Sequence, residues 1–316
     1  MLNRRHLRIK VLQSLYAYFQ SKDEDFGKAE RELMVSIDRI YDLYVYLLLS
    51  FSELKSIAEN RMAEGGKKNF PTEEDLRPNR KYVDNRLITA IESSSELRNQ
   101  SETRKVNWMG AEEQEMFKKM FKAMRESETY FEFMNNEQDG YEEDRSFLVA
   151  LFKTEIANFP LLYNYFEEKS IHWLDDIDLA CSMVLKTIKG MDESDEICSI
   201  LPLYKDEADE KEFVKRLLRK SIMMEDENKT IIDELTQNWE LDRIAKMDVF
   251  LMGMAITELQ EFSNIPTKVT LNEYIEISKF YSTPKSNGFI NGVLDKAISR
   301  LEKEGKINKV GRGLKK

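Results

Sequence analysis

The chain has 316 residues, 41% hydrophobic and 34% charged, with only 12 glycines and 6 prolines; this favours a globular protein of long helices over an all-β design. The strongest apolar run, Tyr44 to Phe51, falls well short of the ~20 residues that cross a bilayer, and no apolar core follows the basic N-terminus, so neither a membrane span nor a secretion signal is expected. The formal net charge of −10 argues at first against nucleic acid, and the two cysteines, Cys181 and Cys198, fit neither a metal-ligand spacing nor a disulfide framework, which suits a reducing cytoplasm.

Residues 3–21 read as a helix, with Leu7, Val11, Leu12, Leu15, Tyr16 and Phe19 recurring at three- and four-residue spacing. Arg4, Arg5 and Arg8 lie at its N-terminal end, where cations oppose the helix dipole. That unfavourable placement suggests charges held for a ligand. Residues 26–63 read as one long or two joined helices, striped by Leu33, Ile37, Ile40, Leu43, Leu47, Leu54 and Ile57. A loop over 65–80 carries Gly65-Gly66, Pro71 and Pro78. Helical patterns return at about 81–100, 111–135, 143–168 and 173–190. A polar, acidic stretch from Asp192 to Asp206 then precedes a helix starting near Ala208.

A repeat with an offset of 66 residues links Phe147 and Trp173 to Phe213 and Trp239. At that offset Leu151 faces Leu217, Ile156 faces Ile222, Phe166 faces Ile232, Leu185 faces Leu251 and Ile188 faces Met254. This implies a duplicated or converged helical unit. After Trp239 a strong helix runs to about Glu261. Thr270 and Glu273 then read as a capping box, with Val269 and Tyr274 as its hydrophobic staple. That helix ends at Ser282-Thr283-Pro284, and Asn287-Gly288 reads as a turn. A last helix carries Ile290, Val293, Leu294, Ala297 and Leu301, and the tail from Lys303 is expected to be disordered.

No Walker motif, dinucleotide glycine fingerprint or nucleophile elbow is present. The two histidines, His6 and His172, have no nucleophile beside them in sequence. An enzyme is therefore not expected, and no cofactor or metal is implied. A binding surface remains. Residues 1–22 hold five Lys/Arg and no acid, and residues 263–316 carry a net +6, so the acidity belongs to the body between them. Recognition of unpaired RNA needs cations for phosphates and rings on which bases stack. Arg4, Arg5, Arg8 and Lys10 are candidates for the first role. Tyr281 and Phe289, which bracket a loop from Ser282 to Gly288 containing Lys285, are candidates for the second; both rings also have a plain core reading.

The stretch Arg4-Arg5-His6-Leu7-Arg8 with Val11-Leu12-Gln13-Ser14-Leu15-Tyr16 resembles the N-terminal helix of the NusB family. Residues 239–297 resemble its C-terminal half, through Leu241-Asp242-Arg243-Ile244, Thr257-Glu258-Leu259, Ile265-Pro266-Thr267-Lys268-Val269, Asn272-Glu273-Tyr274-Ile275-Glu276-Ile277-Ser278-Lys279 and Phe289-Ile290-Asn291-Gly292-Val293-Leu294-Asp295. The resemblance implies an all-α fold of two helical bundles. It implies binding of boxA-type single-stranded RNA in nascent, notably ribosomal, transcripts together with the ribosomal protein NusE, in a complex that lets RNA polymerase read through terminators. It carries RNA contacts onto Arg4, Arg5, Arg8, Tyr281, Lys285 and Phe289, and partner contacts onto Tyr16 and Asp248. Lys285 stands where relatives can have an acid. A lysine there adds about 1 kcal/mol of phosphate attraction at most, so this chain is expected to bind RNA alone more readily than an acidic-loop relative.

The likeness covers 1–22 and 208–304. Residues 23–207 read as a helical insertion, in part a duplicated bundle, and 305–316 as a basic tail. Two other readings stay open. An RNA methyltransferase with a NusB-like domain would need a glycine-rich cofactor loop after a strand, and neither feature is visible. A helical protein-interaction module that keeps the fold without RNA binding is compatible with the acidic body.

Overall fold

The computed structural model describes residues 1–21, 25–194, 197–236 and 244–314. Lys22, Trp239 and Leu241 to Arg243, which enter the reading above, lie outside the described residues. Among the described residues every regular element is helical. In chain order these are α1 (Arg4–Gln20), α2 (Phe26–Gly65), α3 (Glu73–Leu76), α4 (Arg86–Glu92), α5 (Ser95–Arg104), α6 (Ala111–Glu126), α7 (Glu128–Asn135), α8 (Tyr141–Leu151), α9 (Pro160–Lys169), α10 (Ile177–Gly190), α11 (Glu207–Met223), α12 (Glu225–Leu235), α13 (Lys246–Glu261), α14 (Thr267–Tyr281) and α15 (Ser286–Lys303). The chain forms two compact units, one of Met1 and residues 38–203, the other of residues 2–37 and 204–316. The boundary falls inside α2, a single helix of 40 residues.

In the first unit α8 is central and packs on α4, α7 and α10. A π-helical turn over Phe152–Ile156 continues it. Aromatic rings fill the core: Trp108 is 1% exposed, lies 4.6 Å from the Tyr46 ring and donates its indole N–H to the Tyr46 carbonyl at 3.0 Å. Trp173 donates likewise to the Arg39 carbonyl at 2.9 Å, as a buried indole must if its N–H is not to be left unpaired. The acidic connector that reads as a separator is partly tied down here. Ser94 Oγ donates to the Cys198 carbonyl at 2.7 Å, Tyr41 Oη donates to the Leu201 carbonyl at 2.9 Å, and Cys198, Ile200 and Leu203 are buried.

The 66-residue offset holds at some helix ends and not at others, since α10 begins 69 residues before α13. α8 with its π turn starts 66 residues before α11, and α9 ends 66 residues before α12. Phe147 and Phe213, Leu151 and Leu217, and Ile188 and Met254 are buried in their respective units.

In the second unit α13 is central, packed on α1, α11, α12, α14 and α15. Leu251, Met252, Met254, Ala255 and Ile256 are fully buried on it. Three local expectations are corrected. α14 starts at Thr267, with Pro266 in the capping position and no side-chain cap. Thr270 and Glu273 therefore form no capping box, because their oxygens serve tertiary partners. Asn287 and Gly288 lie in the first turn of α15. The tail is ordered as far as 314: α15 ends in a Schellman turn, with Lys306 N–H on the Leu301 carbonyl at 2.9 Å and Gly305 N–H on the Glu302 carbonyl at 3.1 Å. Gly305 sits at φ +67°, a conformation that suits glycine. The chain then folds back, and Val310 N–H donates to the Ser263 carbonyl at 3.0 Å.

Candidate nucleic-acid interface

The N-terminus of α1 is capped by Asn3, whose side chain accepts the His6 N–H at 3.0 Å. Leu7, Val11, Leu12 and Leu15 bury one face of the helix. Arg8 lies three and four positions before Val11 and Leu12, on that same face, and is only 1% exposed. Its Nε and Nη2 each donate to Glu258 of α13 at 2.7 Å. Glu258, itself fully buried, also accepts from Thr270 Oγ1 at 2.8 Å and from Tyr274 Oη at 3.1 Å. Burial opposes the charge on Arg8, but the paired Glu258 carboxylate outweighs it and holds the guanidinium pKa above its ordinary value. Burial, and then the Glu258 charge, push the Tyr274 phenol well up. α1, α13 and α14 are thus joined by one charged, hydrogen-bonded core.

Arg5 donates from Nε and Nη2 to Glu273 at 3.0 and 2.9 Å. Eight residues on, Gln13 Nε2 donates to Tyr281 Oη at 3.5 Å. Both pairs are 268 residues apart in sequence, so α1 and α14 run side by side, parallel and in step. Arg4 pairs with Asp209 of α11 and lies 4.1 Å from the centre of the Phe213 ring. The arginines that sequence reasoning holds for a ligand therefore all have carboxylate partners, which is what offsets their unfavourable place on the helix dipole.

The predicted site residues divide accordingly. Arg4 and Arg5 remain partly open, with side chains 33% and 40% exposed. Arg8 and Lys10, each 1% exposed, are corrections: neither cation is open to a phosphate in this fold. Asp248 is also turned inward, 4% exposed and accepting a hydrogen bond from Ser282 Oγ at the end of α14. Tyr16 is 39% exposed and packs edge-on against Phe250 with centroids 6.0 Å apart. Tyr281 and Phe289 are half-buried at the two sides of the α14–α15 connection. Lys285 is exposed there, with no hydrogen bond or ion pair among the described residues.

Beside the start of α1 lies an open cleft of about 670 Å³, lined in part by Asn3, Arg4, Arg5, Asn264, Glu273 and Arg312. Sequence reasoning missed Asp209, Glu258, Glu273 and Arg312. Glu258 carries a readable signal, since it falls four residues after Met254 and seven after Leu251 on the apolar stripe of α13. A lone carboxylate there needs a buried cation. Arg312 lies in a tail without periodicity and carries no such signal.

A buried arginine–glutamate pair thus locks three helices of an all-helical unit, with an arginine-lined cleft beside it. Residues 178–299 match the model of the NusB family. Similar proteins include the transcription antitermination protein NusB of Salinibacter ruber, 44% identical over 104 residues, which are 33% of this chain and 65% of that one. The protein of the same name from Chloroherpeton thalassium is 40% identical over 104 residues, covering 33% of this chain and 49% of the relative. That of Natranaerobius thermophilus is 42% identical over 72 residues, 23% and 52% of the two chains. The chain thus spans about half to two thirds of the relatives it matches. No solved structure matches it. The family match begins in α10 and does not include α1.

Proposed function

We propose that the chain binds boxA-type single-stranded RNA of nascent transcripts, together with the ribosomal protein NusE, and acts without catalysis in transcription antitermination, in the cytoplasm. The observation that carries this reading is the joining of the family-matching helices α13 and α14 to the basic helix α1 through Arg8–Glu258 and Arg5–Glu273. It leaves Arg4 and Arg5 partly exposed at one end of the α1–α14 pair and Tyr281 at the other, about 12 Å along the helix, with Lys285 and Phe289 just beyond. Exposed ion pairs contribute only about 0–1 kcal/mol, and each guanidinium has donors to spare, so a phosphate can share or displace the carboxylates on Arg4 and Arg5. Tyr281 and Phe289, both half-buried, are the rings this reading assigns to unpaired bases. Tyr16 stands for the protein partner's contact, beside an inward-facing Asp248. The name of the relatives supports the process.

The test is binding of the full chain to a boxA-like strand and a scrambled strand across a salt series, with and without NusE. Preference for the boxA-like strand, strengthened by NusE, is expected. Arg4→Gln and Lys285→Asp are each expected to weaken binding and to lower the salt slope by about 0.7. The second reading, a protein-interaction module, is supported by the Asp209 and Glu273 carboxylates that already neutralise Arg4 and Arg5. A flat salt response with no preference between strands would select it.

A further inference from the structure

Four arginines line the cleft beside α1, Arg4, Arg5, Arg8 and Arg312, with the Arg8 guanidinium buried against Glu258. Three are matched by carboxylates: Asp209, Glu273 and Glu258. Arg312 is exposed and has no hydrogen bond or ion pair among the described residues. It reaches the cleft because the C-terminal tail is docked. Beyond the Gly305 turn, Lys309 Nζ donates to the Phe262 carbonyl at 2.9 Å and Val310 N–H to the Ser263 carbonyl at 3.0 Å. Burial lowers the Lys309 pKa, consistent with an ammonium turned into the protein rather than to solvent. Gly313 is buried so closely that a Cβ there would stand 2.1 Å from the Ser263 carbonyl oxygen. The tail is thus seated on the corner between α13 and α14 and carries one uncompensated cation into a cleft whose other cations are shared.

We propose that the docked tail is part of the phosphate-binding surface, and that Arg312 takes a phosphodiester of the single-stranded RNA. The proposal rests on the RNA-binding reading above. An unpaired guanidinium is the best placed of the four to receive a phosphate, since it gives up no ion pair to do so and offers a planar pair of N–H donors. The cleft, at about 670 Å³, is open to solvent and within the ~300–1,000 Å³ range of small-ligand sites. Asn3 and Asn264 line it and add neutral polar groups.

The test uses the full chain and the boxA-like strand across a salt series. Arg312→Gln is expected to bind about fivefold more weakly, with the salt slope reduced by about 0.7, one phosphate contact on a single strand. Gly313→Val, which cannot keep the close approach to Ser263, should lose the same amount, and the double variant no more than either alone. The thermal midpoint of Arg312→Gln should stay at the wild-type value, because the exposed Arg312 side chain pairs with nothing else in the fold. Wild-type affinity in Arg312→Gln, with weakened binding in Arg4→Gln, overturns the proposal and leaves the RNA reading standing. A loss in Arg312→Gln with none in Gly313→Val overturns the docked position. No RNA binding by the wild-type chain overturns both readings together.

Discussion

Arg8 shows why a basic segment cannot be read as a ligand site from its charges alone. Its guanidinium and the Glu258 carboxylate are both out of water, 2% and 0% exposed as side chains, and removing one partner strands the other. Arg8→Met and Glu258→Ala are each expected to cost about 3–5 kcal/mol in urea denaturation, whereas Arg8→Met/Glu258→Leu should recover most of that loss. A double variant no better than the singles would mean that Thr270 and Tyr274 need the carboxylate more than Arg8 does. A loss of RNA binding in an Arg8 variant would therefore report unfolding. The clue was present in the sequence, since Arg8 falls on the same stripe as Val11, Leu12 and Leu15, but a stripe position does not name the acid that will meet it.

α11 illustrates how a helix is held by its charged flanks. Lys215 and Arg219, one turn apart, pair with Glu30 at the start of α2, and Arg216 and Lys220 pair with Glu261 at the end of α13. Burial raises both carboxyl pKa values, but the pairs of cations outweigh it and hold each below the ordinary 4.5. A depressed carboxylate stabilises the fold fully above its unfolded pKa and loses that contribution as the pH falls through the folded one. Glu30→Gln/Glu261→Gln is thus expected to be less stable by about 1 kcal/mol near neutrality, with the gap to wild type closing as the pH drops below 4.5. Chemical denaturation at several pH values reads this directly; a gap that persists in acid would mean the loss is one of packing. The start of α14 was misjudged because Thr270-x-x-Glu273 has capping-box spacing, yet spacing alone does not say whether a tertiary acceptor such as Glu258 competes for the hydroxyl.

The two compact units give the chain two separate cores, and both cysteines lie in the first. Burial, and then the nearby Asp178 and Glu96 charges, push the Cys181 and Cys198 thiols up to about 12. Neither is a thiolate near neutrality, so both should label slowly in the folded chain and report when the first unit opens. Arg8→Met is expected to lower the denaturant midpoint of the helical signal while leaving that of thiol exposure in place. Equal shifts would mean that the units unfold as one. The helical class, most element positions and the family likeness of α13 to α15 were legible in the chain, because helix period and short signatures are local properties. Which cations are spent and which are open was not. Arg4 with Asp209, Arg5 with Glu273 and Arg8 with Glu258 are joined across 205, 268 and 250 residues, and Arg312 faces the cleft only because the tail turns back onto Ser263. Charge pairing acts over a few ångströms and is set by packing, so no reading of neighbours along the chain could have placed it.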